Sequence, residues 1–478
     1  MLEKYLLTVV FVPLAGACLL PLVGKISKNL RNIMALACAV VPLVFSCLLA
    51  AVAWKGQTIL IAKNLPLGFN FTFSADGLAV FMAIVSSLIS AIIILYSFGY
   101  ISHYQNQNEY YFLVVLFLGS MMGLVFSANL IFLYLFWELT AIVSWRLIGF
   151  FREKIHVIRA DKSFLVTVFG ALLMLLGFLT LYQQTGSFDL SVIKETLKTN
   201  PVSSLAVVLI LAGILSKSAT LPFHTWLPDA GVAPSPVTAL LHAAVLVKIG
   251  VYVFARLFVV TIPLNTSWHV IVGTIAAASA LVSAGAALVD TDLKRIIAYS
   301  TISQIGFIFL GLVSGSVLGL TGALLYILMH GLAKAGLFLC AGVVEQNTKI
   351  KDITKLGGLI KTMPMTAVTF LVCAFSVMGV PPLGGFFSKY MVMVSAVQTG
   401  PLWLALLFLV GAFMTILYLF RVFNMVFLGE AKGPLVQEAE PVMIASVVIL
   451  AFLSIAAGFL IYYPSLIAQI TAHQMLGI

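Results

Sequence analysis

Long apolar stretches dominate this sequence and recur along its whole length. Of the 478 residues, 62% are hydrophobic and only 9% are charged, whereas a soluble domain carries roughly 25% charged residues. A helix that crosses a bilayer needs about 20 mainly apolar residues. We therefore predict an all-α integral membrane protein with about 14 transmembrane helices, because fourteen such segments lie approximately at 4–24, 33–53, 78–102, 110–126, 129–150, 163–183, 203–228, 236–260, 268–289, 295–313, 316–343, 364–399, 402–428 and 438–463.

Basic residues between these segments predict how the chain is oriented. Fourteen Lys and Arg residues, among them Lys294, Lys349 and Lys351, fall in loops on one side, and six, among them Lys194 and Arg256, on the other. Basic loops favour the cytoplasm. We therefore expect a multi-pass protein of the cell (inner or plasma) membrane with both termini on the outer side. The net charge of +10 is scattered without interleaved aromatic residues, which argues against a nucleic-acid partner.

Two of the apolar segments are interrupted by proline and glycine. The seventh breaks at 217–222 and the twelfth at 379–385. Proline removes a backbone donor, and carbonyls freed at membrane depth are tolerated only beside protein or a hydrated cavity. Broken helices are typical of ion sites in transporters, so we predict that helices 7 and 12 are discontinuous and mark an ion path.

The two breaks lie five helices apart, which predicts an internal repeat. Lys217 precedes the first break and Lys389 follows the second. Because five is odd, the second copy of a five-helix repeat would be inverted in the membrane. We therefore divide the chain into N-terminal helices 1–3 at 1–105, a first repeat (helices 4–8) at 106–262, a second, inverted repeat (helices 9–13) at 263–430, and helix 14 at 431–478.

Ionisable residues inside the apolar segments are the main functional signal. Glu138, Lys217, Lys248, Lys334 and Lys389 all fall within predicted spans. A charged group at membrane depth is strongly unfavourable unless it faces a hydrated interior and has a partner, so such residues mark ion pathways. For any single one of these residues, snorkelling to the membrane interface or a local hydrogen bond is the alternative. For all of them together, the pattern favours a path that moves charge across the membrane.

Histidines and polar residues are placed to connect these groups. His330 and Lys334 are four residues apart and therefore share a helix face. His242 and Lys248 are six apart and do not. Together with the polar run at 300–304, the two histidines could bridge the buried lysines through ordered water.

Glu138 and Lys217 are predicted partners. No basic residue stands within seven positions of Glu138, so a cation from another helix is needed to keep its carboxylate charged. Lys217 is the obvious candidate. The alternative is a static pair that holds two helices together, although buried ion pairs stabilise proteins poorly compared with apolar packing.

His224 and Asp229 follow the first break, toward the predicted cytoplasmic side. Their position predicts a part in proton uptake, and for Asp229 a turn or helix-capping role is an equal alternative. Arg146 and Arg421 lie near the ends of spans, where each is either an interfacial anchor or the partner of an acidic group.

Four motifs resemble those of the antiporter-like proton-translocating membrane subunits, a family shared by respiratory complex I, the group 4 membrane-bound hydrogenases and the Mrp-type sodium/proton antiporters. The motifs are Lys-Ser-Ala-Thr-Leu-Pro-Phe-His-Thr-Trp-Leu-Pro-Asp-Ala at 217–230, Ser-Pro-Val-Thr-Ala-Leu-Leu-His-Ala-Ala at 235–244, Asp-Leu-Lys-Arg-Ile-Ile-Ala-Tyr-Ser-Thr-Ile-Ser-Gln-Ile-Gly at 292–306 and Gly-Gly-Phe-Phe-Ser-Lys at 384–389. The resemblance covers nearly the whole chain. It implies fourteen helices, two inverted five-helix repeats, and discontinuous helices 7 and 12.

The resemblance also implies roles for particular residues. Glu138 matches the family's helix-five glutamate, Lys217 and Lys248 its lysines of helices seven and eight, His330 its helix-eleven histidine, and Lys389 its helix-twelve lysine or glutamate. In such proteins protons enter from the cytoplasm near the helix-seven lysine, follow a hydrated central axis, and leave near helix twelve. The full predicted site comprises Glu138, Lys217, Lys248, Lys389, His330, His242, Lys334 and His224.

The predicted function is proton translocation by one membrane component of a redox-driven respiratory complex, of the group 4 hydrogenase or complex I type. The Leu-Pro-Asp-Ala and His-Ala-Ala elements resemble those subunits more than the Mrp D subunit. The alternative is a component of an Mrp-type sodium/proton antiporter, which runs on an existing gradient without redox chemistry. An inert scaffold is disfavoured because it has no use for buried lysines.

The energy for pumping is expected to come from partner subunits. Moving one charge against 100 mV costs roughly 2.3 kcal/mol, and no nucleotide or haem motif is visible in this sequence. Its five cysteines lack the spacing of a zinc or iron–sulfur site. We therefore expect no cofactor in this chain, iron–sulfur clusters with nickel–iron or flavin in its partners, and a multi-subunit complex of other membrane and peripheral subunits. The transported ion is the proton, with sodium exchange left open.

Overall fold

The fold is that of a multi-pass membrane protein. The computed structural model describes residues 1–64, 70–432 and 436–478. Within these ranges, twelve helices are long and apolar enough to cross a membrane, and two shorter apolar helices belong to the interrupted segments. The predicted all-α membrane architecture is confirmed, and the membrane segments are numbered α1 to α14 in chain order.

The long membrane helices are α1 Leu2–Ile26, α2 Lys28–Ala53, α3 Gly77–Tyr100, α4 Gln107–Phe126, α5 Leu130–Ile148, α6 Lys154–Thr185, α8 Ser235–Thr261, α9 Thr266–Val289, α10 Leu293–Val313, α11 Val317–Thr348, α13 Leu402–Phe427 and α14 Pro441–Phe459. The seventh segment consists of α7a Ser204–Lys217 and, beyond the break, α7b Trp226–Asp229; the twelfth consists of α12a Pro364–Met378 and α12b Gly384–Thr399. Outside these segments lie a short helix at Leu190–Thr196 and a C-terminal helix, α15, at Tyr462–Leu476.

A β-hairpin stands between α2 and α3 and is an exception to the predicted all-α architecture. Strands β1 (Ile59–Asn64) and β2 (Asn70–Ala75) pair antiparallel. Along β1, Ile59 and Ile61 are buried and Leu60 is exposed, the alternation of a strand with one covered face. The hairpin packs against the ends of neighbouring membrane helices, and Phe73 bridges to the backbone of Ser127 just after α4.

Both predicted helix breaks are present. α12a ends at Met378, and the next residue, Gly379, has a φ of +86°, in the left-handed region that favours glycine. The prolines that follow prevent the helix from continuing. α7a ends at Lys217, and in the break the amide of Leu221 donates to Ser279 Oγ of α9 at 3.0 Å. The boundaries of the two repeats, 106–262 and 263–430, stay predictions.

α11 forms the centre of the molecule. In its most apolar stretch 94% of the residues are buried, against 39% in the corresponding stretches of α1, α2, α6, α13 and α14. It contacts α3, α8, α10 and both halves of the twelfth segment. The helices that carry Lys248 and Lys389 therefore pack against the helix that carries His330 and Lys334.

Three basic residues counted as loop charges are buried instead. Arg31, Arg256 and Lys294 are each exposed by 6% or less, and a buried charge needs a partner. Arg31 donates to side-chain amides of α4, whereas Lys294 and Arg256 pair with carboxylates. These tertiary partners cannot be seen from loop position alone.

We predict that Asp76→Ala destabilises the protein. Both terminal guanidinium nitrogens of Arg256 donate to Asp76, whose Oδ1 also caps α3 through the Ala79 amide at 2.9 Å. The substitution leaves a buried guanidinium unpaired, and we expect a loss of about 3 kcal/mol, measured as a lower thermal midpoint of the detergent-solubilised protein. Glu195→Ala, which breaks the exposed pair with Lys198, should change the midpoint little. Equal midpoints for both variants would contradict this role.

Candidate ion-translocation site

All four predicted lysines lie inside the protein. Lys217, Lys248 and Lys334 are fully buried, and Lys389 is 6% exposed. They come from four different segments, α7a, α8, α11 and α12b. None of them snorkels to a surface, so the alternative of interfacial lysines does not hold.

Each lysine ammonium donates a hydrogen bond to a main-chain carbonyl. The acceptors are Trp137 O for Lys217 at 3.2 Å, Ala243 O for Lys248, Ile297 O for Lys334 at 3.1 Å and Val377 O for Lys389 at 2.6 Å. A neutral carbonyl dipole stabilises the charged amine, yet no buried carboxylate is left unpaired when the amine loses its proton. The arrangement therefore suits amines that gain and lose protons in place.

Glu138 and Lys217 are neighbours without forming a direct ion pair. The Lys217 ammonium bonds the carbonyl of Trp137, the residue before Glu138, and lies 5.3 Å from the Trp137 ring centroid. Among the described residues, no Glu138 oxygen lies within 4.0 Å of a basic nitrogen. Its Oε1 is buried without a hydrogen-bond partner in the ranges that the structure describes, and the two charges still interact electrostatically. The separation argues against a static clamp and leaves room for the pairing to change.

The segment around His242 and Lys248 is irregular. Residues Leu240–Ala244 form a π-helical turn within α8, and π-turns are frequent at functional sites because they disturb the regular pairing of carbonyls. Here Ala243 O accepts from Lys248 Nζ, and Ala244 O accepts from Ser86 Oγ at 3.1 Å. The turn supplies the polar surroundings that a buried amine needs.

His330 lies at the meeting point of the ionisable groups. It is in electrostatic contact with Lys248, Lys334, His242 and Lys389. The two ring nitrogens of His330, like those of His242, are buried and have no hydrogen-bond partner in the described chain. An imidazole can accept and release a proton, so His330 is a candidate relay within this cluster.

A chain of hydrogen bonds leads from Lys334 toward Lys389. Lys334 Nζ donates to Ser300 Oγ at 2.6 Å, and Tyr418 Oη donates to the same Ser300 oxygen at 2.8 Å. Gln304 contacts the Tyr418 hydroxyl and accepts from the Tyr326 hydroxyl. The Tyr326 ring centroid lies 5.5 Å from Lys389 Nζ. The polar run of α10 therefore connects two lysines, through partners on α11 and α13.

The lysines at the two helix breaks occupy comparable surroundings. Lys389 Nζ bonds the carbonyl of Val377, in the last turn before the α12 break, and sits 4.7 Å from the Phe307 ring centroid. Lys217 ends α7a and likewise faces a carbonyl and an aromatic ring. Each helix break is therefore accompanied by a buried lysine, while the inverted repeat itself stays a prediction.

The buried groups from Glu138 and Lys217 through Lys248, His242, His330 and Lys334 to Lys389 are called the central line below. His224 and Asp229 lie apart from it. His224 is half-buried in the loop after the α7 break, in electrostatic contact with Lys162. Asp229 bonds Lys162 Nζ at 2.6 Å and Arg295 Nη1 at 2.7 Å, which joins the first predicted repeat to the second. Its carboxylate therefore makes ion pairs instead of the predicted helix cap, and a part in proton uptake stays a prediction.

The two arginines near span ends have different partners. Arg146 pairs with Glu109, the acidic-partner alternative. Arg421 donates to the carbonyls of Leu288 at 2.7 Å and Asp290 at 2.9 Å. It therefore ties α13 to the end of α9.

Sequence reasoning missed the tyrosines of the central line. Tyr326 stands four residues before His330, and Tyr418 three residues after Thr415, whose hydroxyl accepts from Gln304 at 3.1 Å. Helical spacing could have flagged Tyr326 because residues four apart share a face. Nothing in the sequence connects Tyr418 with α10, because that contact joins residues more than 100 positions apart.

Comparison with known proteins assigns the chain to a family. Residues 127–415, more than half of the chain, match the profile described as NADH:quinone oxidoreductase/Mrp antiporter, transmembrane. Residues 64–111 match that of the NADH-ubiquinone oxidoreductase (complex I) chain 5 N-terminus. The chain belongs to the antiporter-like membrane subunits. The predicted family is thereby confirmed.

Curated relatives of this antiporter-like chain are named as components of antiporters. The A1 subunit of the Na(+)/H(+) antiporter of Staphylococcus haemolyticus is 34% identical over 96% of this chain and 61% of that protein. The A subunit of the Na(+)/H(+) antiporter of Alkalihalophilus pseudofirmus is 37% identical over 84% of this chain and 54% of that protein. The antiporter-like chain thus spans less than two thirds of the length of these relatives.

Two solved structures share the fold of the antiporter-like chain. One chain of the Mrp complex from Dietzia sp. superposes with a TM-score of 0.89 at 20% identity, covering 99% of this chain and 97% of that one. One chain of the membrane-bound sulfane sulfur reductase, an archaeal respiratory membrane complex, gives 0.90 at 23% identity, covering 98% and 97%. At these identities the similarity concerns the fold alone.

We predict that Tyr418→Phe slows ion transport without loss of the protein. The substitution removes the hydroxyl that joins Ser300 to Gln304 and keeps the buried ring. Transport should fall in membrane vesicles that contain normal amounts of the chain. Tyr390→Phe removes an exposed hydroxyl from the residue after Lys389 and should leave transport unchanged. Equal transport in the two variants would show that the Tyr418 hydroxyl has no part in the path.

Proposed function

We propose that this chain is the proton-translocating component of an Mrp-type sodium/proton antiporter. The observation that carries the proposal is the similarity, over 96% and 84% of the chain, to proteins named as the A1 or the A subunit of a Na(+)/H(+) antiporter. This corrects the sequence-based preference for a redox-driven complex: the named relatives support the alternative better. The preference for complex I and hydrogenase subunits rested on short motifs, whereas the named relatives match over most of the chain.

The chemistry of the central line supports the proton as the ion that this chain carries. Four lysines and two histidines line it, against the single carboxylate of Glu138. Ammonium groups repel a sodium ion, and sodium prefers oxygen ligands, whereas amines and imidazoles accept and release protons readily. Sodium would then cross by another route, and we propose that partner membrane subunits of the plasma membrane assembly provide it.

The proposed path joins the two helix breaks. Protons taken up near Lys217 and Glu138 would pass Lys248, His330 and Lys334 and reach Lys389. Each amine that bonds a carbonyl would hold the proton in turn. Hydrogen bonds among Ser300, Tyr418, Gln304 and Tyr326 would carry it from Lys334 toward Lys389. The direction of net transport is set by the ion gradients.

The composition of the assembly tests this function against its redox alternative. Gently solubilised membranes would be purified through this chain and analysed by mass spectrometry and metal analysis. We expect hydrophobic membrane subunits and no stoichiometric iron or nickel. Copurifying iron–sulfur, nickel–iron or flavin proteins would contradict the antiporter assignment and return the chain to a respiratory complex.

We predict that Lys217→Ala abolishes sodium-dependent proton movement while the assembly persists. The ammonium makes one hydrogen bond, to Trp137 O, so alanine removes a buried charge without breaking a buried ion pair. Proton movement would be followed by a pH-sensitive dye in everted vesicles after sodium is added. Lys55→Ala, at an exposed position, is the matched control and should transport normally. Normal transport by a correctly assembled Lys217→Ala variant would rule out the proposed path.

A further inference from the structure

A polar cavity opens where the two predicted repeats meet, at the ends of α3, α6, α10 and α11. Its volume is about 230 Å³, and its lining includes Tyr100, Tyr104, His156, Lys294, Glu345 and Gln346. Lys349 and Lys351 stand at its mouth, in a loop assigned to the cytoplasm by its basic residues. None of these residues belongs to the central line described above.

A buried ion pair forms one wall of the cavity. Lys294 is 4% exposed; its Nζ lies 2.8 Å from Glu345 Oε2 and donates to Ala233 O at 3.0 Å. The other Glu345 oxygen lies 3.3 Å from Lys351 Nζ. One carboxylate thus stands between an inner and an outer lysine, so that charge is arranged along the depth of the cavity.

Besides Glu345 Oε2, whose contact with Lys294 is an ion pair without hydrogen-bond geometry, two buried polar atoms of the lining have no hydrogen-bond partner in the described part of the protein. These are His156 Nδ1 and Gln346 Oε1. His156 is 8% exposed, and its Nδ1 lies 3.4 Å from a Glu153 oxygen without forming a hydrogen bond. Both atoms can accept a proton from a donor. Since buried polar groups are normally satisfied, the two atoms give this cavity a polar wall that can bond water.

Hydroxyl groups continue inward from the cavity. Tyr100 Oη is 3.5 Å from Ser235 Oγ. Ser235 Oγ and Tyr96 Oη both stand beside Gly342 of α11, each within 2.9 Å of where a Cβ at that glycine would lie. Only the missing side chain of Gly342 leaves room for the two hydroxyls, so this close approach depends on glycine.

The hydroxyl line ends close to His242. Tyr96 Oη donates to Leu339 O, and the neighbouring Phe338 ring lies 4.5 Å from the His242 ring. His242 is in electrostatic contact both with Lys294 of the cavity and with Lys334 of the central line. His242 is therefore coupled to charged groups of both.

We propose that this cavity is a second proton entrance, which feeds the central line at His242 instead of at Lys217. Protons would move from the cavity past Glu345 and Lys294, along the hydroxyls of Tyr100, Ser235 and Tyr96, to His242. The proposal rests on the proposed proton-translocating function. It differs from the single entrance near helix seven that family resemblance implies, because this one lies at the boundary of the two repeats.

Cysteine accessibility tests the entrance directly. Gln346→Cys would be placed in the full-length chain after the five native cysteines are replaced by alanine. Its matched control is Asn347→Cys, the next residue, whose side chain donates to Gln437 O outside the cavity. Everted and right-side-out vesicles would be treated with a negatively charged methanethiosulfonate that does not cross membranes, and transport measured before and after.

We expect the reagent to block transport in only one of the two variants and from only one side of the membrane. Both cysteines should react in everted vesicles only, and transport should be lost for Gln346→Cys but retained for Asn347→Cys. No reaction at Gln346→Cys while Asn347→Cys reacts, reaction without block, or equal block of both variants would each overturn the proposal.

A glycine pair provides a second test that needs no chemical modification. Gly342→Ala pushes a methyl group against Ser235 and Tyr96, whereas Gly336→Ala on the same helix pushes one against Cys373 Sγ, away from the cavity. When both variants are present in the membrane at normal levels, transport should fall for Gly342→Ala only. Equal transport in the two variants would overturn the entrance.

The outcomes also separate this entrance from the proposed function. If Lys217→Ala abolishes transport while modified Gln346→Cys and Gly342→Ala transport normally, the central line stands and the second entrance is refuted. If the unmodified parent chain moves no protons in response to sodium, the proposed function itself fails.

Discussion

The structure depends on keeping charged amines inside a medium that disfavours charge. Burial of an ammonium group is strongly unfavourable unless dipoles replace the lost water. Here a main-chain carbonyl holds each of Lys217, Lys248, Lys334 and Lys389. Carbonyls stabilise the charged state without demanding it, whereas a close carboxylate would fix it. The four amines can therefore change protonation in turn.

Irregular backbone provides much of this polar surrounding. The α12 break presents Val377 O to Lys389, and the π-turn of α8 presents Ala243 O to Lys248. Neither feature would survive against lipid, because unpaired backbone groups at membrane depth need protein or water beside them. Their position around α11 explains why the most buried helix of the molecule is also the one surrounded by ionisable side chains.

The sequence predicts the parts of the site that depend on composition. A lysine in an apolar span and a proline–glycine break are visible without tertiary contacts, so the fold class, both breaks and the burial of the lysines were all anticipated. The π-turn of α8, the hydrogen bonds of Tyr418 and the ion pairs of Asp229 depend on contacts between distant helices. The sequence alone does not predict them. The redox-driven branch was preferred on short motifs alone, whereas similarity over most of the chain supports the antiporter alternative better.

The central claim is that this chain moves protons in exchange for sodium and without electron transfer. Its most direct test is the purified assembly in proteoliposomes, with an imposed sodium gradient, an internal pH-sensitive dye and no electron donor. We expect the internal pH to change as protons move opposite to sodium, and the change to vanish when the sodium gradient is removed. No pH change until a redox substrate is supplied would contradict the account.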